Sequence, residues 1–195
     1  NREELSQSIT MCAGKAIKSA RVEADRAVST FQIAAEEAKR MNGEIIPLDL
    51  SVQTTGRWGL VRRFPIGAMV GITPFNFPLN LVAHKVAPAM ASGNTILLRP
   101  ATQVAPTSGI LAKIISESEY PAGGFNYIPC GYEAAEVFLE DDRIKKITFT
   151  GSPDIGWGLK KKAHKKRVTL ELGGNAAVII EPDANLDFAL PRTVL

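Results

Sequence analysis

Hydrophobic and polar positions change rhythm twice along the chain. Over residues 1–42 apolar side chains recur at helical spacing, first Leu5, Ile9 and Cys12. After an interruption at Gly14 come Ile17, Ala20, Ala24, Ala27, Val28, Phe31, Ala35 and Ala38, with Glu, Lys and Arg opposite. Two helices are predicted, the second stopped by Asn42-Gly43. Residues 44–66 lose that period. Ile45, Ile46, Leu48, Leu50 and Val52 mark short extended pieces, Thr54-Thr55-Gly56 a turn, and residues 58–64 a second strand-like run. Pro47 and Pro65 argue against a central strand, and an exposed ribbon needs a partner for its edges. From Gly67 onward short Val/Ile-rich runs alternate with helical stretches. Strands are predicted at 68–72, 95–98, 125–128, 146–149, 168–170 and 176–180. Helices are predicted at 79–91, 105–118, 133–139 and 153–163, with another opening near Ala184. This is the pattern of βαβ units and a largely parallel sheet, an α/β fold. Pro88 inside the first of these helices predicts a kink or an early break.

Composition narrows the function classes. With 195 residues, 45% hydrophobic and 22% charged, the chain suits one substantial globular domain with smaller attachments. A net charge of +3 gives no reason to expect a nucleic-acid partner. The dense basic run, residues 160–167, reads as a solvated helix end and strand start. Cys12 and Cys130 match neither a disulfide framework nor a metal-ligand spacing, so no metal is expected. No signal peptide is visible and no apolar stretch approaches the ~20 residues of a membrane span. A cytoplasmic location without a membrane partner is expected. The chain starts at Asn1 without Met and stops inside a predicted helix, as a piece of something longer would.

The stretch richest in candidate chemistry is Thr73-Pro74-Phe75-Asn76-Phe77-Pro78. It follows a predicted buried strand, and its two prolines fix φ on either side of Asn76. Asn76 therefore sits on a stiff turn at a strand's carboxyl end, where open α/β sheets place their ligands. Its carboxamide could donate to a developing oxyanion, or it could cap the next helix. Downstream, Phe149-Thr150-Gly151-Ser152-Pro153 ends a strand and opens a helix. Ser152 stands at the N-cap and Pro153 at the first helical position, a start suited to an anion. The dinucleotide fingerprint Gly-x-Gly-x-x-Gly is absent after the first strand. Glu171 lies in Leu170-Glu171-Leu172-Gly173-Gly174; desolvation between apolar neighbours would strengthen it as a general base for water, or it could be a buried, paired structural Glu.

Taken in order, Pro74-Phe75-Asn76-Phe77-Pro78, Phe149-Thr150-Gly151-Ser152 and Leu170-Glu171-Leu172-Gly173-Gly174 closely resemble the aldehyde dehydrogenase superfamily. The resemblance extends over nearly the whole chain. It implies a Rossmann-like parallel sheet with flanking helices (67–195, incomplete), N-terminal helices (1–43) and a bridging, subunit-contacting hairpin (44–66). It further implies a small aldehyde substrate and a homo-oligomer, dimer or tetramer. Asn76 becomes the oxyanion donor, and Glu171 activates the water that hydrolyses a thioester. Cofactor contacts are implied for Ile72, Thr73, Pro74, Phe75, Arg99, Thr102, Gly131, Gly151, Ser152, Ile155, Leu172 and Gly173, with Ser152 on the pyrophosphate and Ile155 beside the adenine.

Four positions depart from the family's usual residues. Arg99 and Thr102 stand where Lys and, in many NAD-preferring members, Glu are common. Thr removes a carboxylate that would repel a 2′-phosphate and Arg offers a planar donor fork, so the expected cofactor is NAD(P) with NADP accepted. The alternative is that Arg99 is a solvated strand end and Thr102 a loop start. Phe75 replaces the commoner Trp, and Asn175 a Lys; for Asn175 there is no physical account. The family's nucleophilic Cys lies a few tens of residues beyond the Glu, so it is expected outside this chain, and the segment alone is expected to be inactive. Two competing readings are a non-catalytic binding or structural protein of the same fold and an acyl-transferring reductase. The pair Asn76 and Glu171 disfavours the first, and Glu171 the second.

Overall fold

The computed structural model describes residues 1–193. Two helices, α1 (Arg2–Ala13) and α2 (Ile17–Ala38), open the chain and are separated at Gly14, whose φ of 66° ends α1 in the left-handed region. The exposed pairs Arg2–Asp25 and Arg21–Glu3 cross between them and contribute little beyond alignment. A two-stranded antiparallel hairpin follows, β1 (Glu44–Pro47) with β2 (Trp58–Val61). Ile45, Trp58 and Leu60 on it are all exposed. The extended character expected at Val52 is not found. Residues Val52–Thr54 form a 3-10 turn, because Ser51 and Thr54 exchange side-chain and backbone hydrogen bonds across it.

The remainder is a five-stranded parallel sheet: β3 (Ala68–Ile72), β4 (Thr95–Arg99), β5 (Phe125–Tyr127), β6 (Ile144–Gly151) and β7 (Arg167–Leu172). Between the strands run α3 (Asn80–Ala91), α4 (Ala105–Ser116), α5 (Tyr132–Glu140) and α6 (Pro153–Lys162), and α7 (Leu186–Thr193) follows. The strand order is β5-β4-β3-β6-β7, so the direction of winding reverses between β3 and β6. Residue by residue, Ile72 pairs with Arg99 on one side and Phe149 on the other.

Alternation along β3 and β4 divides the core in two. Met69, Ile96 and Leu98 face α3 and α4 together with Leu5, Ile9, Ala20 and Ala24 of the N-terminal helices. Val70, Ile72, Ile147 and Phe149 face α5 and α6 with Leu139 and Ala163. Val70, Ile96, Leu98 and Ile147 are fully buried, each contributing about 1.5–3 kcal/mol.

Two further expectations fail. The strand predicted at 176–180 is absent: this stretch is irregular, and Val178, Ile179 and Ile180 are exposed. Apolar character alone does not make a strand; a neighbouring strand must accept and donate along it, and among the described residues none does. Pro88 does not end its helix, which continues to Ala91. Pro88 stands in the last turn, where Ser92 N–H still reaches the Pro88 carbonyl. Among the described residues no helix is long and apolar enough to cross a membrane.

Candidate active site

The carboxyl ends of the five strands gather nearly every residue singled out in the sequence. Ile72 ends β3 and leads into Thr73, Pro74, Phe75 and Asn76; Arg99 ends β4, with Thr102 three residues on. Gly131 caps α5 after β5, Gly151 and Ser152 join β6 to α6, and Leu172 and Gly173 close β7. The reversal of strand order between β3 and β6 opens a crevice at this edge, the place where open parallel sheets bind ligands.

A cavity of about 230 Å³ lies between α5 and α6, walled by Ile72, Arg99, Tyr132, Leu139, Phe149 and Ile155. Its walls are mostly apolar; Arg99 is the buried charged group among them, and the exposed Lys162–Glu136 ion pair also borders the space, which suits a flat ring carrying an anion at its rim. Arg99 is not the solvated strand end considered above. It is buried, its Nε donates to the Cys130 carbonyl at 3.1 Å, and its guanidinium lies 4.5 Å from the Tyr132 ring centroid. Beside the cavity, α6 approaches the sheet closely: a Cβ at Gly156 would collide with Leu172 and crowd the Phe149 ring. Ser152 is the N-cap of α6 and makes no side-chain capping bond, so its hydroxyl leaves the first amides of α6 uncapped at the carboxyl edge of the sheet. These features fit a dinucleotide: a ring slot, a helix start for phosphates and a glycine that brings helix and sheet together. Thr102 and Ile155 are exposed beside them. Among the described residues no group of His, Cys, Asp or Glu could hold a metal ion.

Asn76 is exposed on the bend after β3, and among the described residues no side chain or backbone group bonds its carboxamide. It does not cap α3. Glu171 corrects another expectation, because it is exposed rather than desolvated. Neighbouring residues of a strand face opposite sides, so Leu170 and Leu172 turn toward α6 while Glu171 faces away, with Thr150 Oγ1 donating to it at a long 3.4 Å. β6 separates Glu171's strand from Asn76's, leaving roughly 10 Å of sheet between them.

On Glu171's side of the sheet the structure reveals a residue that the sequence reading passed over. Lys85 is buried on α3, its Nζ donating to Thr148 Oγ1 at 3.1 Å. A Cβ at Gly71 would lie 3.2 Å from Ile96 Cδ1 and 3.5 Å from Lys85 Cδ, so glycine leaves room for the lysine stem against β3. Burial pushes the Lys85 ammonium down to about 8, with Glu171 opposing that fall and Lys146 adding to it. The available signal was a lysine on the face shared by Val82 and Ala89, at helical spacing from both.

The stability consequence follows from the sign of that change. Between about pH 8 and 10.5 the unfolded chain holds a proton on Lys85 that the folded chain has released, so stability rises with pH across that window. Below it the folded state carries a cost of about 3 kcal/mol. Lys85→Met is therefore expected to be the more stable protein at pH 7 in urea unfolding, with the gap narrowing by pH 10. A gap independent of pH would show that Lys85 is not the titrating group.

A family model described as Aldehyde dehydrogenase family matches residues 1–195. The 3-sulfolactaldehyde dehydrogenase of Priestia aryabhattai is 40% identical over 190 residues, covering 96% of this chain and 40% of that protein. The crystal structure of aldehyde dehydrogenase 21 from Physcomitrella patens, in complex with the reaction product succinate, matches with TM-score 0.87 and 50% identity over 89% of this chain and 36% of that one. That of glyceraldehyde-3-phosphate dehydrogenase from Methanocaldococcus jannaschii, complexed with NADP, matches with TM-score 0.81 and 40% identity over 89% and 38%. The chain spans about 40% of the length of these curated relatives.

Proposed function

The chain belongs to the aldehyde dehydrogenase family, and from that premise we propose that it forms the nucleotide-binding part of an NAD(P)⁺-dependent enzyme oxidising a small aldehyde to its carboxylic acid. One observation carries this reading. A stiff turn bearing an unengaged carboxamide, an apolar cavity with one buried arginine and an uncapped helix start all meet around one reversal of strand order.

The cofactor, when bound, supplies the hydride acceptor. The cavity between α5 and α6 would hold the adenine, with Ile155 and Phe149 on its faces and Arg99 at its rim. Ser152 and the first amides of α6 would hold the pyrophosphate. The turn from Thr73 to Phe75, with Gly131, Gly151, Leu172 and Gly173, lines the rest of the path. Asn76 Nδ2 donates to the aldehyde oxygen as negative charge develops on it. Glu171 then takes a proton from the water that hydrolyses the acyl thioester.

The thiol that forms this thioester is assigned outside residues 1–195. Cys130 follows β5 and its carbonyl is held by Arg99 of β4, whereas Glu171 lies in β7 with β3 and β6 between, so water activated by Glu171 could not reach an acyl group on Cys130. Cys12 lies in α1, in the outer layer. The exposed apolar hairpin β1–β2 is the surface for a second subunit.

Cofactor choice tests the reading most directly. In the complete enzyme NADP⁺ should serve at least as well as NAD⁺, because Thr102 has no charge to repel a 2′-phosphate and Arg99 can donate to one. Thr102→Glu should shift relative kcat/KM toward NAD⁺ by roughly 1–2 kcal/mol. Arg99→Ala should weaken NADP⁺ more than NAD⁺. Equal changes for both cofactors would assign the 2′ preference to other residues, and no aldehyde-dependent reduction of either by the complete enzyme would overturn the function.

A further inference from the structure

The turn that carries Asn76 is gripped from outside the sheet. Lys15 lies in the link between α1 and α2, directly after Gly14. Its Nζ donates to the Asn76 carbonyl oxygen at 2.9 Å, to Glu23 Oε2 at 2.5 Å, and sits 3.8 Å from the centroid of the Phe77 ring. Glu23 is buried on α2, 2% exposed, among Ala20, Ala24 and Ala27. Its second oxygen, Oε1, accepts the backbone N–H of Leu79 at 2.9 Å and of Asn80 at 3.1 Å. Leu79, the N-cap residue of α3, has no side chain able to do this. A carboxylate from one helix thus satisfies the orphan amides of another, where the helix dipole favours it. The ammonium that neutralises this carboxylate holds the backbone of Asn76 at the same time.

A buried carboxylate with three donors on it is geometrically over-determined, and its contacts at Leu79 and Asn80, with that of Lys15 at the Asn76 carbonyl, bracket residues 76–80. Asn76 is held by its carbonyl while its carboxamide stays unengaged, as a pre-oriented donor requires. We propose that Lys15 and Glu23 are positioning residues that aim the Asn76 carboxamide, making the N-terminal helices part of the catalytic apparatus. This rests on the reading of Asn76 as the oxyanion donor.

The test uses the complete enzyme carrying Lys15→Met, Lys15→Arg, Glu23→Gln and Asn76→Ala. It follows the rate of the first turnover as NAD(P)H appears, alongside cofactor affinity and hydrogen exchange at Leu79 and Asn80. Lys15→Met keeps the aliphatic stem and should slow the first turnover by about tenfold while cofactor affinity holds, and Lys15→Arg should restore most of the rate. Combined with Asn76→Ala, Lys15→Met should change the rate by less than about twofold, because the group it aims is gone. Glu23→Gln should speed exchange at the Leu79 and Asn80 amides. A tenfold loss from Lys15→Met that persists on the Asn76→Ala background, or an undiminished first turnover in Lys15→Met, would overturn the proposal and leave the Asn76 reading intact. An undiminished first turnover in Asn76→Ala would instead overturn that reading, and the aiming role with it.

Discussion

Asn76→Ala in the complete enzyme is expected to slow the first turnover about 10²–10³-fold, or about 3–4 kcal/mol of transition-state stabilisation. The size follows from when the interaction is made. A donor aimed at the position of a developing oxyanion gains strength as charge appears, so its loss is felt in the chemical step more than in substrate binding. The folded state should hardly notice. Asn76 is exposed, and among the described residues its carboxamide makes no internal hydrogen bond, so unfolding midpoints of variant and parent should agree to within the ordinary scatter of surface substitutions. Asn76→Asp is the sharper control. It preserves shape but places acceptor oxygens, and at neutral pH a negative charge, where a donor is needed, so it should be no better than alanine. A loss below about threefold for Asn76→Ala, with KM rising instead, would mark Asn76 as a binding contact rather than an oxyanion donor.

Glu171→Gln should separate the two halves of the reaction. Removing a general base typically costs 10²–10⁴-fold in the step it serves, about 3–5 kcal/mol. That step is hydrolysis of the thioester, so the first equivalent of NAD(P)H should form at close to the parent rate, followed by steady turnover slower by that factor. Glutamine can still accept the bond from Thr150 Oγ1, and Glu171 faces away from the α6 core, so the variant should fold normally. Rapid-mixing kinetics and mass measurement of the accumulated acyl-enzyme read the outcome. Equal loss from the first and later turnovers would place Glu171 in an earlier step.

Much of this was legible in the chain. The run Ala68–Ile72 is a strand in both readings, since five consecutive small or apolar residues between Gly67 and Thr73 have no alternative but burial on both faces. Gly14 breaks the N-terminal helices where its freedom to take φ 66° allows, and the two prolines around Asn76 mark its bend. Ser152-Pro153 starts a helix because a missing N–H costs nothing at the first position. Period, turn chemistry and capping are local forces. They act between residues a few positions apart, and these elements needed nothing more.

What the tertiary structure alone decided are the partnerships across distance. Lys85 drew no notice in the sequence, and the glutamates of the second helix were expected opposite its apolar face, yet Lys85 and Glu23 are both buried. Thr148 is 63 residues from the first, and the Leu79 amide 56 residues from the second, so no local pattern could pair them. The Cys130 carbonyl and Tyr132 ring turned Arg99 from a possible solvated end into the buried wall of a cavity. Glu171 moved the other way: apolar neighbours in sequence lie on the opposite face of its strand and leave it exposed. The stretch at 176–180 had the composition of a strand and became none, because a ladder belongs to two segments and among the described residues no second strand pairs with it. Local preference settles which residues bend, coil or extend; the hydrogen bonds and charges that make a site out of them are settled only when distant segments meet.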